Sequence, residues 1–149
     1  MATMTESQRQ SFLADLHVGV LSVIDPDPAR GPLTIPIWYE YSPADGVTII
    51  TSPTSRKGKA IEAAGRFSLV AQQEELPYRY VSVEGPVVEA IPCDLEAHLR
   101  PMAARYLGER AGNAYAEGWA ASDDTTTVYR MQPEQWFTFD FSDEIQSVG

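Results

Sequence analysis

Lysine is scarce in this chain: its 149 residues include only Lys57 and Lys59, and 11 Lys and Arg stand against 21 Asp and Glu. A net charge of −10 repels nucleic acid and anionic membranes. Neither is an expected partner, and an anionic ligand would have to be held locally. Cysteine is reduced to Cys93, which excludes an internal disulfide framework and leaves no thiolate cluster for zinc. His17 and His98 are the only histidines, so neither a His-rich metal centre nor an imidazole relay is expected. No apolar run is long enough to cross a bilayer. The segment Met1 to Gln10 lacks the basic-then-apolar order of a secretory signal. These absences lead to the expectation of a soluble cytoplasmic protein, a single domain over residues 1–149, with no repeats and no linker.

What positive charge there is gathers in Thr51 to Arg66, TSPTSRKGKAIEAAGR, which carries Arg56, Lys57, Lys59 and Arg66. The β-branched run Val47 to Thr51 precedes it, and Lys59 to Ala64 has helix-forming composition ending at Gly65. The order is strand, polar loop, helix. Ser52, Thr54 and Ser55 offer hydroxyls at the helix start, where unpaired N–H groups and the helix dipole favour an anion. With Arg56 and Lys57 alongside, the segment reads as a phosphate or carboxylate site. It reads equally well as an ordinary Ser55 N-cap followed by a solvated basic turn.

Along the chain, Thr5 to Gln8 has capping-box spacing, and Phe12, Leu13 and Leu16 would share one face of an opening helix. Val18 to Ile24 reads as a buried strand, and Asp25 to Gly31 as a loop. Leu33 to Tyr41 alternates as a strand, but Pro36 removes a ladder donor and implies an edge, a bulge or a ligand alongside, the last being preferred. Pro43 to Gly46 is a hairpin turn, and strands follow at Phe67 to Gln72 and Tyr78 to Ile91. Gly85-Pro86 in the longer strand predicts a bulge that lets it curl, as barrel strands do. Asp94 would cap a helix running to Gly108, a second helix would span Ala111 to Ala121, and strands at Thr125 to Met131 and Gln135 to Phe141 close the chain. The pattern predicts a mainly β protein, an antiparallel barrel with a few helices.

Three stretches carry a more specific likeness: Pro36-Ile37-Trp38-Tyr39, then Thr51-Ser52 with Ser55-Arg56-Lys57-Gly58, then Tyr80-Val81-Ser82-Val83-Glu84-Gly85. In these the chain resembles the flavin-binding split β-barrel family, pyridoxamine 5′-phosphate oxidases and the flavin/deazaflavin oxidoreductases of actinobacteria, over most of its length. The resemblance implies that Ser55, Arg56 and Lys57 hold a cofactor phosphate and that Ile50, Thr51 and Ser52 run beside the ring system. Pro36, Ile37 and Trp38 would line the ring's other edge, and Tyr80 is among the aromatics that would reach it. It implies a homodimer with the cofactor in a groove between subunits. The Pro-Ile-Trp-Tyr form, and a C-terminus without an oxidase-like Trp-Arg-Leu motif, look more like the deazaflavin branch. That implies an oxidoreductase moving hydride between coenzyme F420 and a small conjugated molecule, with Lys59, Arg66 or Arg79 extending a basic groove for the coenzyme's carboxylates. The alternatives are the same barrel using FMN, or a non-enzymatic flavin- or haem-binding protein in which His17 is a possible axial ligand. No catalytic side chain is singled out. Asp25 to Gly31, Gln73 to Pro77 and Gly108 to Asp124 would choose the substrate.

Overall fold

A computed structural model describes residues 3–122 and 124–146. Helix α1 (Glu6–Ala14) opens with the expected capping box: the Thr5 hydroxyl accepts from the Gln8 amide, and the Gln8 side chain accepts from the Thr5 amide. Phe12 and Leu13 are buried on its inner face. Leu16 lies beyond the helix and is exposed, because Asp15 leaves helical geometry and ends α1 two residues earlier than the spacing predicts.

Eight strands follow: β1 (Gly19–Val23), β2 (Leu33–Ile37), β3 (Glu40–Ser42), β4 (Gly46–Thr51), β5 (Arg66–Gln73), β6 (Arg79–Pro92), β7 (Thr127–Met131) and β8 (Gln135–Asp140). All pairings are antiparallel, in the order β2-β1-β5-β6-β7-β4-β3, with β8 also on β6. The long strand β6 is the spine. Its first half pairs with β5 and β8 and its second half with β7, and the register shifts between Val87 and Glu89. That bulge, just past Gly85-Pro86, curls the sheet around a core of fully buried side chains including Leu13, Leu21, Tyr39, Ile49, Ile61, Leu69, Val81, Val83, Tyr129 and Met131. Each such apolar burial contributes about 1.5–3 kcal/mol, so the core outweighs any single surface contact. The fold is a split antiparallel β-barrel with four helices among the described residues.

The strand expected over Leu33 to Tyr41 is two strands. The chain leaves β2 at Ile37 and re-enters as β3 at Glu40, on the far edge of the sheet. Tyr39 makes the crossing possible: its ring is fully buried, and its hydroxyl donates to the Leu13 carbonyl at 2.7 Å. Pro36 sits on the edge strand β2, paired with Val20, where its missing N–H costs no ladder bond.

Helix α2 (Arg56–Ala64) lies between β4 and β5 and is terminated by Gly65. After β6, a wide π-helical turn (Leu95–Leu99), capped by Asp94, leads into α3 (Arg100–Ala120). At Gly108 the backbone takes φ 83° and ψ 168°, which favours glycine and folds α3 into a helical hairpin. Arg100 bonds across it to Asn113 and Glu117 at 3.1 and 3.0 Å. A short helix α4 (Ser142–Gln146), with no counterpart in the sequence reading, follows β8. Among the described residues, no helix is long and apolar enough to cross a membrane, and no group of three His, Cys, Asp or Glu is placed to hold a metal ion.

His17, between α1 and β1, stacks on Phe12 with ring centroids 4.4 Å apart, and its Nε2–H donates to the Phe12 carbonyl at 3.0 Å. Burial pushes its pKa below the ordinary 6.5, and the carbonyl bond only partly opposes this. The unfolded chain therefore binds a proton here more readily than the folded one. Stability is retained above about pH 6.5 and lost as pH falls through the lower folded value. Thermal melts of wild type and His17→Gln should diverge in slope between pH 7.5 and 5.5, with the wild type losing more Tm on acidification. Parallel slopes would mean that His17 does not titrate in this environment.

Candidate functional site

The strand-loop-helix segment builds one end of a cavity. The Ser55 hydroxyl accepts from the Gly58 amide at 3.1 Å and donates to the Ser52 carbonyl at 2.7 Å, closing the turn as an N-cap. The Ser55 amide is also used, donating to the same Ser52 carbonyl at 3.2 Å. Of the four amides a helix start leaves open, this accounts for Ser55 and Gly58, and among the described hydrogen bonds none takes those of Arg56 and Lys57. The loop packs this tightly only because residue 58 is glycine. A Cβ there would collide with the Ser52 carbonyl and lie 2.9 Å from the Pro53 Cα.

The cavity, about 540 Å³, opens beside this turn and is walled by Pro36, Ile37 and Trp38 from β2 and its exit and by Ile50, Thr51 and Ser52 from the end of β4 and the loop after it. Ser55 and Lys57 close one end. The structure thus brings together eight of the residues singled out from sequence. The volume is ordinary for a small-molecule or cofactor pocket. Lys57, half-buried, is the only cation in the lining, and it has no ion-pair partner among the described residues.

Two of the residues singled out lie elsewhere. Arg56 turns away, and its Nη2 meets the Asp25 Oδ2 at 2.9 Å. Asp25 is held further by the Asp27 amide, which donates to its Oδ1 at 2.9 Å, and by Arg30 at 3.9 Å. The Arg56 bond is the main reason the Asp25 carboxyl sits below the usual carboxylate range. Tyr80 faces the opposite side of the sheet. Its neighbours Val81 and Val83 alternate into the core, so Tyr80 is exposed across from Phe139 of β8. Nor do the other basic residues converge on the cavity. Arg66 pairs with Glu134 at 3.6 Å, and Arg79 lines a separate, polar hollow of about 270 Å³ under α1, with Asp15 and Asp140.

Most of the remaining wall comes from residues that the sequence did not assign to the site. Leu99 and Met102 from the start of the helical hairpin, and Tyr115 and Trp119 from its return arm, cover the cavity. The Trp38 indole stacks on Tyr106 at 5.2 Å with 5° between planes, and Tyr115 tilts against it at 5.4 Å. The Tyr106 hydroxyl donates to the His17 carbonyl at 2.6 Å and accepts from the Tyr39 amide at 3.0 Å, pinning the β2 exit to the hairpin. Spacing held the signal: Leu99, Met102 and Tyr106 recur at three and four residues, as do Tyr115 and Trp119. What spacing could not show is that the Gly108 turn folds both faces over one cavity. The Trp119 Nε1–H is buried without an acceptor among the described residues, so this wall offers an unmatched donor to whatever fills the space. Gln73 to Pro77 and Asp25 to Gly31 do not line it, and Asp123, within the third segment expected to choose a substrate, lies outside the described residues.

Neither histidine reaches the cavity. His17 is engaged with Phe12, and the His98 Nδ1 accepts from the Asp94 amide at 2.9 Å, so no imidazole is available there as a haem ligand. The lining does fit a flat ring with an anionic tail: aromatic and aliphatic walls, the buried Trp119 N–H and Thr126 hydroxyl without partners among the described residues, and at one end a cation beside open helix amides.

No protein-family model matches the chain, and no curated protein matches its sequence. Solved structures do match in shape. A conserved hypothetical protein from Mycobacterium tuberculosis superimposes with a TM-score of 0.75 at 19% identity, over 96% of this chain and 89% of that one. An F420 reductase gives 0.68 at 20% identity, over 86% and 94%. A FAD-binding protein from Mesorhizobium loti gives 0.64 at 19%, over 93% and 94%. At these identities the likeness is one of fold: the chain has the pyridoxamine 5′-phosphate oxidase-like split-barrel fold of flavin-binding proteins.

Proposed function

We propose that this protein is an oxidoreductase that binds coenzyme F420 in the cavity between β2, β4, α2 and α3, acts on a small conjugated organic molecule and works as a homodimer. The observation that carries this reading is the half-buried Lys57, without an ion-pair partner among the described residues, beside two helix amides that are open among those residues, at the end of an aromatic slot. When bound, the coenzyme would supply a ring that gives or takes a hydride. The chain's own work is to hold and enclose that ring. Lys57 and the Arg56 and Lys57 amides would take the phosphodiester. Pro36 to Trp38 and Ile50 to Ser52 would clamp the ring edge to edge, and the helical hairpin would exclude water. Trp119 would donate its indole N–H to a ring or substrate oxygen. No side chain in the lining is placed as an acid-base dyad, so exchange with solvent would supply the proton.

Support for a homodimer comes from the outer face of β6 and β8, where Tyr78, Tyr80, Phe137 and Phe141 leave aromatic surface in water. The test is a fluorescence titration of cofactor-free protein with oxidised coenzyme F420 beside one with FMN, followed by sedimentation of the mixture detected at the coenzyme's visible absorbance. The expected result is saturable micromolar binding of the deazaflavin, weaker FMN, and coenzyme travelling with a species of twice the 16.4 kDa chain mass. Tighter FMN would move the protein to the FMN-dependent alternative. Binding of neither would defeat the cofactor reading, and a bound monomer would defeat the dimer.

A further inference from the structure

The N1 residue of a helix that ends at an anion pocket is the natural place for a second phosphate-gripping cation, and the sequence puts an arginine there. Yet the Arg56 guanidinium is committed to Asp25, 31 residues earlier in the chain, at 2.9 Å. Asp25 is itself fixed in place: its side chain is only 8% exposed, one oxygen accepts the Asp27 amide, and Arg30 approaches the other. The cavity is left with Lys57 and the open helix amides. That is about +1 from the ammonium and about +0.5 from the helix end. A phosphomonoester carries about −1.5 to −2 near neutral pH, because its second pKa is about 6, whereas a phosphodiester carries about −1.

We infer that Asp25 is a specificity-determining residue: by holding Arg56 out of the cavity, it weakens the site's preference for a dianionic phosphomonoester over a singly charged phosphodiester. The inference rests on the proposed cofactor site and adds to it the residue that selects between ligand classes. Asp25 touches no ligand. It acts through the position of Arg56, and releasing that arginine supplies a second full charge, from which a dianion gains more than a monoanion does.

The experiment uses two probes that differ by one charge, a flavin 5′-phosphate and its methyl ester. They are built on whichever ring the wild type binds, isoalloxazine or 8-hydroxy-5-deazaflavin, and are titrated at pH 7.5 against the full chain. In the wild type, the ratio of the two affinities sets the reference. Asp25→Asn is expected to tighten the monoester by about tenfold relative to the ester, as one added charge-assisted hydrogen bond would. The double variant with Arg56→Gln should abolish that gain. Arg56→Gln alone should leave both affinities within about twofold, since each tenfold in Kd needs about 1.4 kcal/mol and this side chain contributes none.

An unchanged ratio in Asp25→Asn, a gain that survives in the double variant, or a tenfold loss in Arg56→Gln would each overturn the inference, the last because Arg56 would already be gripping the phosphate. Should Asp25→Asn not fold, Arg56→Gln decides by itself. If neither ring binds the wild type, the proposed site fails and the inference fails with it, an outcome distinct from binding without charge selection.

Discussion

Lys57→Ala should weaken coenzyme F420 binding by about 10- to 100-fold while leaving the Tm of the free protein unchanged. The magnitude follows from a hydrogen bond to a charged group, about 1.5–3 kcal/mol once partly shielded from water. The unchanged Tm follows from the environment. Lys57 is half-buried, and no carboxylate among the described residues pairs with it, so its removal strands no opposite charge. Lys57→Arg should recover part of the affinity, because it restores charge with a bulkier, differently hydrated head. Isothermal titration with each variant beside a thermal melt separates the effects. A Tm that falls in step with affinity would make Lys57 a structural residue, and unchanged affinity would remove the cavity's anion end.

A large loss of stability is expected from Gly58→Ala. The new Cβ would meet the Ser52 carbonyl carbon at 2.9 Å and the Pro53 Cα at 2.9 Å, as well as the carbonyl oxygen itself. All three are backbone atoms, so no side chain can rotate aside, and α2 must move off the loop. Overpacking of this kind costs about 1–3 kcal/mol or more, and alanine's helix preference offsets at most about 1 kcal/mol. A net loss of about 2 kcal/mol corresponds to a Tm lower by about 4–8 °C for a chain of this size. Gly31→Ala is the control, since a Cβ there meets nothing within 4 Å. Because the shift would also tilt the amides of Arg56 and Lys57, Gly58→Ala should weaken ligand binding too. Stability equal to that of Gly31→Ala would show that the loop relaxes freely.

Much of the fold was legible before the tertiary structure because its signals are local. The capping box at Thr5, the N-cap at Ser55, the stop at Gly65 and the bulge after Gly85-Pro86 depend on residues within a turn or two of one another. Where local pattern and long-range packing compete, packing prevailed. Leu33 to Tyr41 alternates as one strand, yet it breaks after Ile37 because burying the Tyr39 ring and bonding its hydroxyl to Leu13 outweighs two more ladder positions. The expected second helix is the return arm of a hairpin, whose halves are joined by Arg100 to Asn113 and Glu117.

The site divides along the same line. Sequence alone determined a mainly β chain with a strand-loop-helix segment rich in hydroxyls and cations, and it determined that an acidic protein would have to bind an anion locally if at all. Those properties belong to composition, periodicity and neighbouring residues. Only the tertiary structure decided which cation faces the cavity: Lys57 does, while Arg56 is taken by Asp25 from a loop 31 residues away. It likewise decided that Tyr80 faces out, and that Tyr115 and Trp119 face in. Such choices rest on contacts between segments distant in the chain, whose energies depend on geometry that residue order does not contain.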